Sequence, residues 1–62
     1  MKRRDLLRYL VASGCKLLRE GGSHSIWENS VTRKRTSIPR HTEINDYTAT
    51  KIFSQLGIKK PK

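Results

Sequence analysis

A histidine that directly follows a glycine turn is the strongest candidate for chemistry in this chain. The stretch Gly21-Gly22-Ser23-His24 precedes the alternating run Ser25-Ile26-Trp27-Glu28, which is typical of a strand. Glycine takes a positive φ without steric cost, so the pair predicts a tight turn that delivers Ser23 and His24 to the start of that strand. Because histidine gives or takes a proton near neutral pH, His24 is a candidate acid–base catalyst. The alternative is a turn histidine that only bonds a backbone group.

The charge of the chain indicates what His24 would act on. The 62 residues include 14 Lys and Arg against 5 Asp and Glu, which gives a formal net charge of +9. Such an excess is expected for a protein that binds a polyanion, and RNA fits best, although an acidic protein or a membrane surface also fits. A proton carrier in so basic a chain therefore favours chemistry on RNA. A merely solvated basic surface is the alternative.

Several polar side chains are candidates for holding the RNA. The arginines would neutralise phosphates, the Ser23 hydroxyl would hold a phosphate oxygen, and His41 would supply the second half of an acid–base pair. The candidates are Arg19, Gly22, Ser23, Arg33, Arg35, Arg40 and His41. For Arg40 and His41 the alternative is a loop of solvated polar groups. Trp27 could stack on a base, but a core position is the favoured interpretation in so small a domain.

Other chemistries find little support in the sequence. Cys15 is the only cysteine, which excludes an intrachain disulfide and fits a reducing cytoplasm. Its spacing with His24 and His41 matches no metal motif, and the chain contains no P-loop, GxGxxG or HExxH. We therefore expect no cofactor and a mechanism without a metal. No apolar run is long enough for a signal peptide or a membrane span, so a cytoplasmic location without membrane contact is expected.

Hydrophobic periodicity and turn residues predict five elements in a single domain over 1–62. An apolar stripe predicts a first helix, ended by Gly14, and a second stripe predicts another helix, capped by Asn45 or Asp46 and ended by Gly57. Three short runs between them predict an antiparallel meander, with Pro39 at the end of its last strand. The predicted ranges are helix 3–13, strands 15–20, 23–28 and 33–38, and helix 46–56.

This order, αβββα, is an α+β fold in which both helices cover one face of a three-stranded antiparallel sheet. Alternation along the second strand leaves two arrangements open. The favoured one has Ile26 and Ile38 inward, which places His24 toward the helices. In the other, Trp27 points inward and His24 stands on the open face.

The chain also resembles a known family, the HicA toxins. These are the small mRNA interferases of bacterial or archaeal type II toxin–antitoxin pairs. The resemblance runs from Lys2 to Ile58. It is carried by Arg4-Asp5-Leu6-Leu7, Gly14-Cys15, Arg19-Glu20-Gly21-Gly22-Ser23-His24, Ile38-Pro39-Arg40-His41 and Ile52-Phe53-Ser54-Gln55-Leu56-Gly57-Ile58. The Gly-Ser-His element, at this distance from the first helix, is its most specific part.

The resemblance implies a double-stranded-RNA-binding-domain-like fold, in agreement with the order of elements predicted from the pattern. It implies that His24 is the catalytic histidine, that mRNA is the substrate, and that a HicB-type antitoxin masks the site. The sequence as a whole predicts a metal-independent endoribonuclease. A non-catalytic RNA-binding module of the same fold is the alternative.

Overall fold

The predicted order of elements is confirmed by the structure, a computed structural model that describes residues 1–61. The elements are α1 (Arg3–Ala12), β1 (Cys15–Glu20), β2 (His24–Asn29), β3 (Arg35–Pro39) and α2 (Asp46–Leu56). The strands form one antiparallel sheet in the order β1-β2-β3, which makes β2 the central strand. Within residues 1–61, no helix has the length and apolar character needed to cross a membrane.

Both helices end near the residues that the sequence predicted. α1 ends at Ala12, one residue early, and Gly14 follows with a φ of 89°, in the left-handed region that favours glycine. α2 has the predicted bounds. Its N-cap is Asn45, whose side-chain oxygen accepts a hydrogen bond from the Thr48 backbone N–H at 2.8 Å.

Both boundaries of β2 and of β3 differ from the prediction, since each strand begins later and ends one residue later, at Asn29 and at Pro39. β2 begins at His24 rather than at residue 23, and β3 begins at Arg35 rather than at residue 33. Arg33 lies in the turn between these strands with a φ of 66°, and its backbone N–H donates to the Asn29 carbonyl at 2.8 Å. The Asn29 side chain also accepts from the Val31 N–H at 2.9 Å. This asparagine closes a longer turn than the composition suggested, so the strand starts later.

The core lies between the two helices and one face of the sheet. Ten buried residues form it, with side chains from both helices, from all three strands and from the loop before α2. They are Leu6, Leu10, Cys15, Trp27, Ile38, Ile44, Ala49, Ile52, Phe53 and Leu56. Tyr9 of α1 contacts Phe53 of α2 edge to face, with ring centroids 5.5 Å apart. A core of this size gives modest stability, so polar contacts elsewhere carry weight.

The side of the sheet that faces the helices differs from the favoured prediction. Ile38 faces the core as expected, but it lies opposite Ser25, and residues opposite each other in an antiparallel pair share a face. Trp27 therefore points inward and is 7% exposed, whereas Ile26 is only half-buried, so its inward prediction was wrong. Burying the larger indole removes more apolar surface from water. Alternation then places His24 with Ile26 on the face without helices, which we call the open face.

The sequence predicted that Gly21 and Gly22 make the turn by taking a positive φ, and the structure differs. Neither Gly21 nor Gly22 has a positive φ. Instead, the Gly21 N–H donates to the His24 carbonyl at 2.7 Å, and a Cβ added at Gly21 would lie only 2.7 Å from that oxygen. A Cβ added at Gly22 would meet no atom within 4 Å. Gly21 is thus required by a close backbone approach that fixes the start of β2.

These two glycines make a matched pair of variants. We expect Gly21→Ala to lower the free energy of unfolding by about 1–3 kcal/mol, because the added methyl group forces the turn away from His24. Gly22→Ala should leave the free energy of unfolding unchanged or raise it by up to about 1 kcal/mol, since it restricts only the unfolded chain. Urea denaturation of both variants measures the difference. Equal midpoints would contradict the close approach at Gly21.

Candidate functional site

His24 is the first residue of β2, and its ring is exposed. The Ser23 Oγ lies 3.1 Å from its Nδ1, so the hydroxyl pairs with that nitrogen in either tautomer. Across the sheet His24 lies opposite Pro39, at the end of β3. Within residues 1–61 no other hydrogen bond reaches the ring, which leaves Nε2 available for proton transfer.

A polar cleft begins at His24. It has a volume of about 310 Å³ and lies between the β3 side of the sheet and α2. Its lining residues are His24, Ser37, Pro39, Tyr47, Thr48, Lys51, Ile52 and Gln55. Most of them carry a hydroxyl, an amide or a charge. A ligand that reaches the His24 ring from α2 would therefore meet hydrogen-bonding groups on both walls.

Arg40 fixes the turn that carries His24. Its guanidinium donates to the Glu20 carboxylate and, through Nε, to the Gly21 carbonyl at 3.2 Å. Its backbone N–H donates to the Ser23 carbonyl at 3.3 Å. One arginine thus contacts the residues on both sides of Gly22. Sequence reasoning assigned Arg40 to phosphate, and the structure gives it three contacts to the turn.

The same carboxylate is bonded from the other side. The Ser25 hydroxyl donates to Glu20 Oε1 at 2.6 Å, and the Arg3 guanidinium donates to Ser25 Oγ and to the Pro39 carbonyl, both at 3.0 Å. We call Arg3, Glu20, Ser25 and Arg40 the Glu20 clamp. It joins α1, β1, β2 and the residue after β3 at the end of the sheet where His24 lies. Ser25, which is fully buried, has both a donor and an acceptor there.

The clamp favours the ionised form of Glu20. The hydrogen bond from Ser25, followed by the one from Arg40, holds the pKa of Glu20 below its ordinary value. Both donors stabilise the carboxylate, whereas a protonated side chain would lose much of that stabilisation. The arrangement around the turn is therefore tied to a negative charge.

A second group of charges lies at the other end of β2. Glu28 is only 2% exposed, and its carboxylate lies 3.0 Å from Arg35 Nε and 3.9 Å from both Lys16 Nζ and Arg33 Nη1. We call these four residues the Glu28 cluster. Three cations around one carboxylate leave an excess of positive charge. Glu28 lies four positions after His24, so the cluster is about 13 Å from the histidine along the strand.

Arg19 reaches the open face through an irregularity in β1. The register between β1 and β2 shifts between Leu17 and Arg19, where the strand carries an extra residue. Leu17 lies opposite Trp27, but Arg19 lies opposite Ile26, so the shift moves Arg19 to the face of His24. Plain alternation from Leu17 would have placed it on the core face.

The structure brings some of the predicted site residues together and separates others. Gly22 and Ser23 directly precede His24, Arg40 contacts the turn that carries it, and Arg19 shares its face. Arg33 and Arg35 meet in the Glu28 cluster, away from the histidine. His41 is exposed in the loop after β3, and within residues 1–61 no hydrogen bond or ion pair links it to His24.

Sequence reasoning missed the clamp and one wall of the cleft. Arg3 contacts Pro39 across 36 positions, a separation that no local pattern reveals. The sequence did contain a signal for Tyr47, because this aromatic residue lies off the apolar stripe of α2. In the structure it is 73% exposed. Across residues 1–61 no group of three His, Cys, Asp or Glu side chains comes close enough to hold a metal ion.

The clamp predicts a pH-dependent stability that Glu20→Gln should remove. Since the folded pKa of Glu20 is lowered, its carboxylate stabilises the fold fully above the unfolded pKa, and this contribution is lost as pH falls through the folded pKa. The wild type should thus exceed the variant in urea midpoint at neutral pH, and the difference should shrink below about pH 4.5.

Glu43→Gln is the matched control for this measurement. It removes an exposed carboxylate 3.8 Å from the N-terminal ammonium, outside the clamp, and should change the neutral-pH midpoint less. A difference between wild type and Glu20→Gln that stays constant from neutral to acid pH would show that the charge of Glu20 does not hold the turn.

Comparison with known proteins identifies the family of this chain. A family model described as the HicA toxin of bacterial toxin-antitoxin matches residues 3–58, which include both helices and all three strands. No curated protein and no solved structure matches the chain. The matched range covers most of the 62 residues, and the order of elements agrees with the fold that the resemblance implied. The chain therefore belongs to the HicA toxin family, the toxins of bacterial toxin–antitoxin systems, and this membership implies an antitoxin partner.

Proposed function

We propose that this toxin is a metal-independent endoribonuclease that cleaves mRNA, with His24 as its catalytic residue. The observation that carries the proposal is the His24 ring itself. It is exposed at the mouth of a polar cleft, its Nδ1 is paired with Ser23, and its Nε2 is available. The surrounding chain carries a net charge of +9, which suits a polyanionic substrate.

RNA supplies its own nucleophile for this reaction. A base removes the proton from a 2′-OH, the 2′-oxygen forms a bond to the adjacent phosphorus, and the bond from phosphorus to the 5′-oxygen breaks. An acid then gives a proton to the departing 5′-oxygen. The products are a 2′,3′-cyclic phosphate and a 5′-hydroxyl. Nε2 of His24 would act as the base or the acid, a role that typically contributes about 10²–10⁴-fold to the rate.

The Ser23 contact supports this role of His24. Pairing of the hydroxyl with Nδ1 restrains the ring and directs Nε2 to the other side. The backbone of His24 is held as well, because its carbonyl accepts the Gly21 N–H. His41 is a candidate for the second proton-transfer group, supplied by the loop after β3.

Several cations suit the negative charge of the substrate. Arg40 is 41% exposed although it contacts Glu20, so part of its guanidinium is accessible beside the turn that carries His24. Arg19 lies on the same face. The Glu28 cluster, about 13 Å away along β2, would contact the RNA backbone beyond the cleaved bond rather than the reacting phosphate.

The antitoxin partner is proposed to be of the HicB type and to cover this same site. A positive surface is best matched by a negative one, so the contacting face of the antitoxin should be acidic. Occupation of the cleft and the open face would exclude RNA from His24. Inhibition would then need no change in the fold of the toxin.

His24→Ala tests the proposal most simply. We expect the variant to lose at least about 10²-fold in RNA cleavage rate while it keeps its circular dichroism spectrum and its affinity for RNA. His41→Ala removes the other histidine of the chain and tests it as the second proton-transfer group: a comparable loss would support that role, and a smaller loss would assign the main role to His24.

Two results would contradict this assignment. A folded His24→Ala protein that cuts RNA at the wild-type rate would exclude His24 as the catalyst. Wild-type protein that binds RNA but never cleaves it would favour a non-catalytic RNA-binding module.

A further inference from the structure

One wall of the cleft at His24 carries an unusual pair of exposed side chains. Tyr47 is 73% exposed at the start of α2, one helical turn before Lys51. The Lys51 ammonium lies 5.5 Å from the centre of the Tyr47 ring. These residues do not belong to the core, and the functional proposal above does not use them. An exposed aromatic ring beside a cation is the combination that binds a base and its phosphate.

The size of the cleft limits what it can hold. Its volume of about 310 Å³ lies at the lower end of the range for ligand pockets, which is roughly 300–1,000 Å³. That is room inside the cleft for a single nucleoside. Because His24 also lines the cleft, a nucleoside bound there would lie beside the reacting phosphate.

Hydrogen-bonding groups complete the lining. Ser37 on β3 and Thr48 on α2 contribute hydroxyls. The Thr36 hydroxyl donates to Gln55 Oε1, which leaves the Gln55 amide N–H groups as donors. A base edge that carries acceptors would find a donor there whose orientation is already set.

From this arrangement we infer that the cleft is a subsite for one unpaired nucleotide of the RNA, with its base stacked on Tyr47 and its phosphate paired with Lys51. Stacking on a protein side chain requires a base that is free of its own helix. The cleft therefore selects single-stranded RNA, although the fold is of the double-stranded-RNA-binding type. The inference rests on the proposed function for the nature of the ligand.

Binding measurements in the His24→Ala background test the subsite without cleavage. The probes are a fluorescent single-stranded RNA oligonucleotide and the same oligonucleotide annealed to its complement. Tyr47→Ala should weaken binding of the single strand by about 5-fold to 150-fold, the range that stacking of one base gives, and should change duplex binding little. Tyr47→Phe keeps the ring and should bind the single strand like the parent.

Lys51→Ala tests the phosphate contact. It should reduce the slope of log affinity against log salt by about 0.7, the value for one phosphate on a single strand. Lys2→Ala removes an exposed lysine before α1, outside the cleft, and should leave that slope closer to the parent value.

The outcomes separate this inference from the proposed function. If the wild type cleaves RNA but Tyr47→Ala binds the single strand as tightly as the parent, the subsite is excluded and the nuclease stands. If the parent binds no RNA, or if Tyr47→Ala and Lys51→Ala weaken only the antitoxin, the cleft is not an RNA subsite. If Tyr47→Ala weakens single-strand binding as expected but the wild type never cleaves RNA, the subsite stands and the nuclease fails.

Discussion

The carboxylate of Glu20 is the point on which the candidate site depends. Two hydrogen bonds, from Ser25 and Arg40, meet at its two oxygens, and Arg3 joins them through Ser25. These contacts hold the end of β1, the start of β2 and the residue after β3 in one arrangement. His24 is carried by the turn that they enclose. A small core between two short helices would leave such a turn mobile without them.

The chain uses its few acidic residues in a way that explains its charge distribution. Two of the five acidic side chains form ion pairs with arginines. Glu20 pairs with Arg40 next to the turn that carries His24, and Glu28 pairs with Arg35 near the far end of β2. Each ion pair restrains the side chain of its arginine, while the protein keeps a net positive charge. A ligand with regularly spaced negative charges would therefore find cations near the histidine and again about 13 Å away. This spacing supports the proposal of an RNA substrate.

The order of elements was predictable because it depends on local patterns. The stripes of α1 and α2, the cap at Asn45 and the stop at Pro39 each require only neighbouring residues. The orientation of β2 was not predictable in this way, since Ile26 and Trp27 compete for the core and only the pairing with β3 decides between them. The start of β3 was misplaced because Asn29 stabilises the turn with its side chain.

In the candidate site, too, the residues that depend on local patterns were predictable and those that depend on long-range contacts were not. His24, Ser23 and Arg40 follow from a turn motif and a basic loop, which a sequence displays directly. The clamp and the Tyr47 wall depend on long-range contacts, such as Arg3 with Pro39 across the fold, so no spacing announces them. The requirement at Gly21 lies between these cases. The sequence predicted a turn that depends on this glycine. The structure shows that glycine is required because a Cβ would lie 2.7 Å from the His24 carbonyl oxygen, and not because φ is positive.

The most direct test of the central claim is the chemistry of the cut itself. Purified protein is incubated in EDTA with an RNA oligonucleotide, and in parallel with the same oligonucleotide carrying a 2′-deoxy sugar at the cleaved position. Our account predicts cleavage of the first to a 2′,3′-cyclic phosphate and a 5′-hydroxyl, and no cleavage of the second at that position. Loss of activity in EDTA that a divalent cation restores, or cutting at the deoxy position, would contradict it.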